Sequence, residues 1–135
     1  KNLPHVSPLV DACFMAEVET LVLTASHDIA RLSPPVWIDR SYPGEKMTQM
    51  NGTEKEIRGG DMIMRDSQGI CCSILYGQDQ RSPVTPQTAQ VMYVAYCPAG
   101  IPLALIETHL TTICAYIRLF APEAVFEQQQ ILHAA

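Results

Sequence analysis

The sequence GICCSILYGQDQRSPVTPQT, at residues 69–88, is the most informative part of the chain. Its first part, Ile70–Tyr76, is a short apolar run that predicts a buried strand. Segment 77–88 combines glycine, prolines and polar side chains, which predicts a loop. Such a loop is long for a connection between two buried strands, and long loops on a rigid sheet often carry function. The stretch therefore indicates a sheet-based fold with a candidate site in the loop.

Working outward, apolar residues at helical spacing predict helices towards both ends, and apolar runs between turn residues predict strands. The predicted helices are 8–24, Leu103–Phe120 and Glu123–Leu132. The predicted strands, besides Ile70–Tyr76, are Val36–Ile38, Asp61–Asp66 and Val91–Cys97. Asn51-Gly52 predicts a hairpin turn. The apolar face of the first helix is predicted to contain Leu9, Val10, Cys13, Phe14, Val18 and Leu21. This order of elements predicts an α+β domain.

Composition excludes several classes of protein. The 135 residues are 47% hydrophobic and 17% charged, which predicts one folded domain rather than a disordered tail. The longest apolar runs, Cys13–Ala16 and Ile101–Ile106, are too short for a membrane span, and no secretion signal precedes them. The net charge of −5 argues against tight nonspecific binding of nucleic acid. Because the sequence starts at Lys1, we expect it to be a processed product or a fragment.

The cysteines and histidines give no metal or cofactor pattern. The chain has 5 cysteines, an odd number, which predicts reduced thiols and a cytoplasmic protein. None has the spacing of a zinc or redox pair, and none of the 4 histidines has ligand spacing. Cys71 and Cys72 are interpreted as small buried strand residues, with a strained vicinal disulfide as the alternative. His109 is interpreted as a surface or core-edge residue of its helix.

Two polar groups in loops leave alternatives open. Arg81 could bind a phosphate or carboxylate through its two-pronged guanidinium, or it could pair with Asp79 or a carbonyl and hold the loop in shape. His27 and Asp28 follow the first helix, where the carboxylate could orient the imidazole. The alternative is that both are turn residues that cap the next segment.

Read in order, these segments resemble the B3/B4 domain of the phenylalanine–tRNA ligase beta chain and its free-standing relatives. The family's motifs correspond to Val10-Asp11, Glu19, Asp28, Pro43-Gly44-Glu45, Asn51-Gly52-Thr53-Glu54 and Met62–Asp66. The loop motif of the free-standing relatives corresponds to Cys72, Asp79, Arg81, Ser82, Val84, Thr85 and Thr88. The resemblance covers residues 3–97, and residues 102–133 resemble the extra C-terminal helices of the free-standing form.

The resemblance implies a single domain over residues 1–135, a layered sandwich of mainly antiparallel strands with an N-terminal helix and C-terminal helices packed on the sheet. It also implies a tRNA or an aminoacyl or amino-acid ligand, because the ligase domain removes tyrosine wrongly attached to the phenylalanine tRNA. Four positions depart from the family's pocket: Phe14, Ala25, Leu75 and Ala95 replace its Asn, His, Gly and Glu. His27, two residues past Ala25, could replace the lost histidine.

These departures argue against editing-type hydrolysis, and no catalytic residue is assigned. If the protein is an enzyme, the resemblance implies an aminoacyl-tRNA deacylase. The alternative is a non-catalytic small-molecule or protein-binding module that kept the fold. The candidate ligand-binding residues are His27, Asp28, Cys72, Gln78, Asp79, Arg81, Thr85 and Thr88. We expect Asp28, Cys72, Arg81 and Thr85 to converge on one cavity whose floor Leu75 narrows.

Overall fold

The computed structural model describes residues 6–133, which fold into an α+β domain. Its helices are α1 (Pro8–Thr20) and α2 (Leu103–Phe120). Its strands are β1 (Leu23–Asp28), β2 (Trp37–Arg40), β3 (Lys46–Thr48), β4 (Glu54–Glu56), β5 (Met62–Asp66), β6 (Gly69–Ser73), β7 (Gly77–Gln78) and β8 (Val91–Tyr96). The predicted α+β class and the mainly antiparallel strands are confirmed.

The strands form layers. A four-stranded sheet has the order β2-β5-β6-β7, and β1 pairs with β8 in a separate two-stranded sheet. One core cluster joins the two sheets and contains Ala25, Met64, Cys71, Cys72 and Tyr96. The β3-β4 hairpin, which turns at the predicted Asn51-Gly52, covers a second cluster. That cluster contains Met47, Ile57, Ile63 and Ile70.

The helices lie on the outer side of the β1-β8 sheet. The Tyr93 hydroxyl of β8 donates to the Leu9 carbonyl of α1 at 2.8 Å. His109 of α2 contacts Thr20 at the end of α1 and Thr24 of β1 through its two ring nitrogens, at 2.7 and 2.5 Å. His109 is fully buried, so its interpretation as a surface or core-edge residue is wrong.

Helix α1 is shorter than predicted and buries a different face. Ser7 caps its start and accepts from the Val10 N–H at 3.3 Å, but Leu21 adopts a left-handed conformation and ends it. The buried residues are Ala12, Cys13 and Ala16, whereas Phe14, Val18 and Leu21 are exposed. Small side chains let the helix approach the sheet and α2 closely, so the predicted apolar face is wrong for these three large residues.

The second C-terminal helix, predicted at Glu123–Leu132, is absent from the described residues. After Ala121 the chain continues without regular structure, and Val125, Phe126 and Leu132 are exposed. A segment of ten residues is marginal as a helix in water unless an apolar face packs against the fold. That packing is missing for Glu123–Leu132, so its helical pattern does not produce a helix.

Helix α2 qualifies the expectation that the chain has no segment suited to a membrane. Over its 18 residues the mean hydropathy is 1.3, and 11% of that window is buried. By length and composition alone it could cross a bilayer, although one such helix is weak evidence. Its apolar residues are interrupted by Glu107, Thr108 and His109, which is why no long apolar run appears in the sequence.

Candidate ligand-binding cavity and the polar network beside it

Arg81, the predicted anion ligand, is engaged inside the protein. Its guanidinium donates two hydrogen bonds to the Asp66 carboxylate, at 2.6 and 3.0 Å, and lies 3.4 Å from Asp79. Its third contact is the Cys71 sulfur at 3.3 Å. Of its two interpretations, the one in which Arg81 holds the loop in shape agrees with the structure, with Asp66 as its main partner.

Asp79 extends this network towards His27. One carboxylate oxygen of Asp79 accepts from the Ser82 hydroxyl at 2.6 Å and from the Ser82 N–H at 3.0 Å. The Ser82 hydroxyl in turn lies 2.8 Å from His27 Nδ1. Gln78 Nε2 donates to the Ser26 carbonyl at 2.8 Å and lies 3.0 Å from the same ring nitrogen. The loop is therefore fastened to β1.

His27 itself is fully buried, and its other ring nitrogen, Nε2, has no partner among residues 6–133. Burial, with the positive charge of Arg81 second, lowers the pKa of His27 to about 4. The imidazole is therefore neutral at physiological pH. His27 lies on the same core-facing side of β1 as Ala25, two residues away. Its Nδ1 atom already contacts the Ser82 hydroxyl and the Gln78 amide.

Asp28 acts as a cap, as its simpler interpretation predicts. It accepts from the Ala30 N–H at 3.0 Å and from the Thr88 hydroxyl at 2.8 Å. The Thr85 N–H donates to that same Thr88 hydroxyl oxygen at 2.9 Å. These bonds close the end of the loop onto the short turn after β1. A ligand role for these residues stays a prediction.

The paired cysteines are buried, reduced strand residues, as predicted. Burial is the main cause that raises the pKa of Cys71 to about 12 and that of Cys72 to about 11. A thiol with so high a pKa is a poor nucleophile at neutral pH. Cys72 packs with Tyr96 in the core between the sheets. These two thiols therefore serve packing.

A cavity of about 490 Å³ lies elsewhere, at the end of the β1-β8 sheet. It is lined by the segment after α1, the turn before β5, the end of β6 and the end of β8. The lining residues are Leu21, Val22, Leu23, Arg58, Gly59, Gly60, Asp61, Met62, Ile74, Leu75, Tyr96, Cys97, Pro98 and Ile101. Its volume falls in the range of about 300–1,000 Å³ that is typical of small-molecule sites.

Three polar groups stand among these mainly apolar walls. Asp61 is buried, and one of its oxygens accepts from the Ser73 hydroxyl and from the Leu75 N–H. Arg58 is exposed, and its guanidinium has no ion pair within the described part of the chain. The Tyr96 hydroxyl is buried and has no hydrogen-bond partner there. Burial raises the pKa of Tyr96, so its hydroxyl stays protonated.

The four residues predicted to converge on one cavity do not converge on this one. Leu75 lines it as expected, but Asp28, Cys72, Arg81 and Thr85 do not. Those side chains are held by partners in the network or in the core. Sequence reasoning missed Arg58 as a lining residue and placed Asp61 only at the start of the predicted strand Asp61–Asp66. The signal that could have found Asp61 is its position after Gly59-Gly60 at the start of a buried strand.

The protein is a small layered α+β domain. Its cavity lies between the end of the β1-β8 sheet and the adjoining loops, and it has the volume of a site for one small molecule. The chain belongs to the B3/4 domain family, whose model matches residues 1–127. No curated protein matches the chain. A crystal structure of an N-terminal fragment of the phenylalanyl-tRNA synthetase beta-subunit from Pyrococcus horikoshii is similar, with a TM-score of 0.66 and 14% identity. The match covers 84% of this chain and 41% of that one, so this chain spans less than half of that fragment.

Proposed function

We propose that this protein is a binding module that holds an aminoacyl group in its cavity, either as a free amino-acid derivative or at the end of a tRNA, without hydrolysing it. The cavity of about 490 Å³ beside Leu75 is the observation that carries the proposal. A cavity of this size also counts against a purely structural interaction domain. The family relation to phenylalanyl-tRNA synthetase beta-subunits makes an aminoacyl ligand the first choice.

The walls and the mouth suit a ligand with an apolar side chain and an anionic neighbour. Leu21, Leu23, Leu75 and Ile101 are exposed large apolar residues that also line the cavity, and we call them the apolar rim. Isolated exposed leucines are ordinary, but a cluster around a cavity indicates a binding surface. Arg58 offers a guanidinium at the same cavity that can pair with a phosphate or a carboxylate.

Several residues argue against ester hydrolysis. The position that the resemblance assigns to the family's histidine holds Ala25, and His27 does not line the cavity. Cys97, which lines it, has its pKa raised by burial, so the thiolate needed for nucleophilic attack is disfavoured. General acid–base chemistry needs a group with a pKa near the working pH and within reach of the ester. The lining includes no histidine, so binding without turnover is the better proposal.

Two measurements test this function. L-Phenylalaninamide, a stable mimic of an aminoacyl group, should shift the NMR signals of cavity residues, and Leu75→Trp should abolish the shift by filling the mouth. Leu119→Trp is the matched control, because Leu119 is exposed and lies at the end of α2. No shift with the wild-type protein would refute aminoacyl binding. Release of amino acid from mischarged tRNA would refute the absence of hydrolysis.

Binding of RNA is tested separately, because the net charge of −5 opposes it. A native gel shift with bulk tRNA at low salt gives phosphate contacts their greatest strength. We expect a weak shift that Arg58→Ala removes and that Arg40→Ala, another exposed arginine, leaves unchanged. Absence of any shift would restrict the ligand to free amino-acid derivatives.

A second candidate function is protein binding, favoured by the exposed apolar side chains of α1. Phe14, Met15 and Val18 project from the helix face that is turned away from the core. Contiguous exposed apolar residues on a monomer mark interaction surfaces. Sedimentation of the wild-type protein and of the Val18→Ser variant would show whether this face drives self-association. Identical monomeric behaviour of both would leave the aminoacyl site as the better proposal.

A further inference from the structure

Asp61 is a buried carboxylate that has no cationic partner. Its exposed fraction is 7%, and none of the ion pairs within residues 6–133 includes it. A buried carboxylate without a cation carries a large desolvation cost. The three other buried aspartates each have a cationic partner: Asp66 and Asp79 pair with Arg81, and Asp28 lies 3.7 Å from Arg31. Asp61 differs from them in lining a cavity.

The two oxygens of Asp61 have different roles. Oδ2 accepts from the Ser73 hydroxyl and from the Leu75 N–H at 3.3 Å, which fixes the carboxylate on the end of β6. Oδ1 has no hydrogen-bond partner among the described residues and is not one of their fully enclosed unpartnered atoms. An ionised carboxylate can accept about four hydrogen bonds, so half of its capacity is unused. The unused oxygen belongs to a residue of the cavity wall.

We infer that Asp61 Oδ1 receives the ammonium group of the ligand, so that the cavity selects ligands with a free α-amino group. The inference rests on the proposed function and names the chemical class of ligand for that site. An ammonium group is a compact charge with three donors, which suits one fixed carboxylate oxygen. Arg58 lies at the same cavity and supplies the opposite charge for a carboxylate or phosphate.

The arrangement excludes two other binding partners for Asp61 Oδ1. A metal ion needs several ligands, and the described residues contain no group of three or more histidine, cysteine or acidic side chains that could hold one. An N-acylated ligand presents an uncharged amide N–H, so it cannot neutralise the negative charge of the Asp61 carboxylate. The carboxylate would then keep its desolvation cost in the complex, and the affinity would be lower.

The test compares L-phenylalaninamide with N-acetyl-L-phenylalaninamide on the wild-type protein by calorimetry or NMR titration. We expect the free amine to bind at least tenfold more tightly. Asp61→Asn keeps an oxygen for Ser73 and Leu75 and removes the charge, so it should lower the preference to about twofold. Glu56→Gln is the matched control, because Glu56 is an exposed acidic residue of β4 outside the cavity.

A pH titration keeps the inference testable if Asp61→Asn fails to fold. The ordinary pKa of an α-amino group is about 7.7–8.0, so the group loses its positive charge above that range. Binding of L-phenylalaninamide to the wild-type protein should therefore weaken above that pH, while binding of the acetylated compound should not change. Equal affinity for both compounds would overturn the inference and leave the proposed function intact. Binding of neither compound would overturn the proposed function, and the inference with it.

Discussion

The Arg81 guanidinium and the Asp66 carboxylate form a two-pronged ion pair, with nitrogen–oxygen distances of 2.6 and 3.0 Å. The pair ties the loop after β7 to the end of β5. Burial alone would raise the pKa of Asp66, but the bonds from Arg81 and from the Ser33 and Gln68 N–H groups lower it to about 2. Arg81, which the sequence analysis considered as an anion ligand, therefore stabilises the loop after β7 through this ion pair.

Arg81→Ala should therefore destabilise the protein without affecting ligand affinity. It leaves the buried Asp66 without its cation, which costs about 2–4 kcal/mol, below the upper limit for buried pairs because Arg81 is partly exposed. Urea unfolding measures the free energy. Arg40→Ala, in an exposed arginine, should change it by less than about 0.5 kcal/mol. A loss of ligand binding in a folded Arg81→Ala protein would restore the ligand role.

The buried His27 predicts a pH-dependent stability. Its pKa is lowered from 6.5 to about 4, so between these values the unfolded chain binds the proton and the folded protein does not. Stability is therefore full above pH 6.5 and falls as the pH falls towards 4. Going from pH 7 to pH 5 should cost about 2 kcal/mol through this group.

His27→Asn removes the titrating group and keeps a polar side chain beside Ser82. The variant should lose less stability than the wild type between pH 7 and pH 5, as measured by urea unfolding at both values. His109 contributes a slope of the same sign, since burial lowers its pKa as well. Equal slopes in the two proteins would show that folding does not lower the pKa of His27.

The sequence predicted elements well where one local pattern decides them. Helix α2 has the predicted bounds because six apolar residues recur at helical spacing: Leu103, Ile106, Leu110, Ile113, Ile117 and Phe120. Asn51-Gly52 marked a turn, where Gly52 takes the positive φ value that glycine adopts readily. Glu123–Leu132 has a comparable local pattern and no helix, because a short helix depends on packing that no local pattern records.

The site was harder to predict because its contacts join distant parts of the chain. Asp66 and Arg81 meet only because β5 and β6 pair and β7 returns along them. The cavity is assembled from four separate segments, and its one unpaired carboxylate, Asp61, sits in a turn that resembles many others. The resemblance to the family predicted the α+β fold correctly. It did not show that the loop residues would bond to one another.

His109 predicts how firmly α2 is attached. It is fully buried and contacts Thr20 and Thr24, while Ile113 is the other buried residue of the helix. His109→Ala leaves a void and unpaired hydroxyls, at a cost of about 2–4 kcal/mol. Amide hydrogen exchange should become faster in α2 than in the strands. Thr111→Ala, at an exposed position of the same helix, should leave exchange unchanged; similar exchange in both variants would refute this attachment.

Leu21 combines backbone strain with exposure at the apolar rim of the cavity. Its φ is +59°, a left-handed value that costs a side-chain-bearing residue about 1–2 kcal/mol, and its side chain is 87% exposed. Leu21→Gly relieves that strain and adds a glycine entropy cost of about 0.5–1 kcal/mol, so a net gain of about 0.5–1 kcal/mol is expected in urea unfolding. The same substitution at Leu119, in helical conformation, should instead lose about 1 kcal/mol.

If the rim binds the ligand's side chain, Leu21→Gly should also weaken the binding of L-phenylalaninamide severalfold while the protein becomes more stable. Opposite changes in stability and affinity separate a residue kept for binding from one kept for folding, because strained residues persist where function requires them. Leu21 lines the cavity and Leu119 does not, so Leu119→Gly should leave the affinity unchanged. An unchanged affinity in Leu21→Gly would remove Leu21 from the rim, and a loss of stability would show that its left-handed conformation carries no strain.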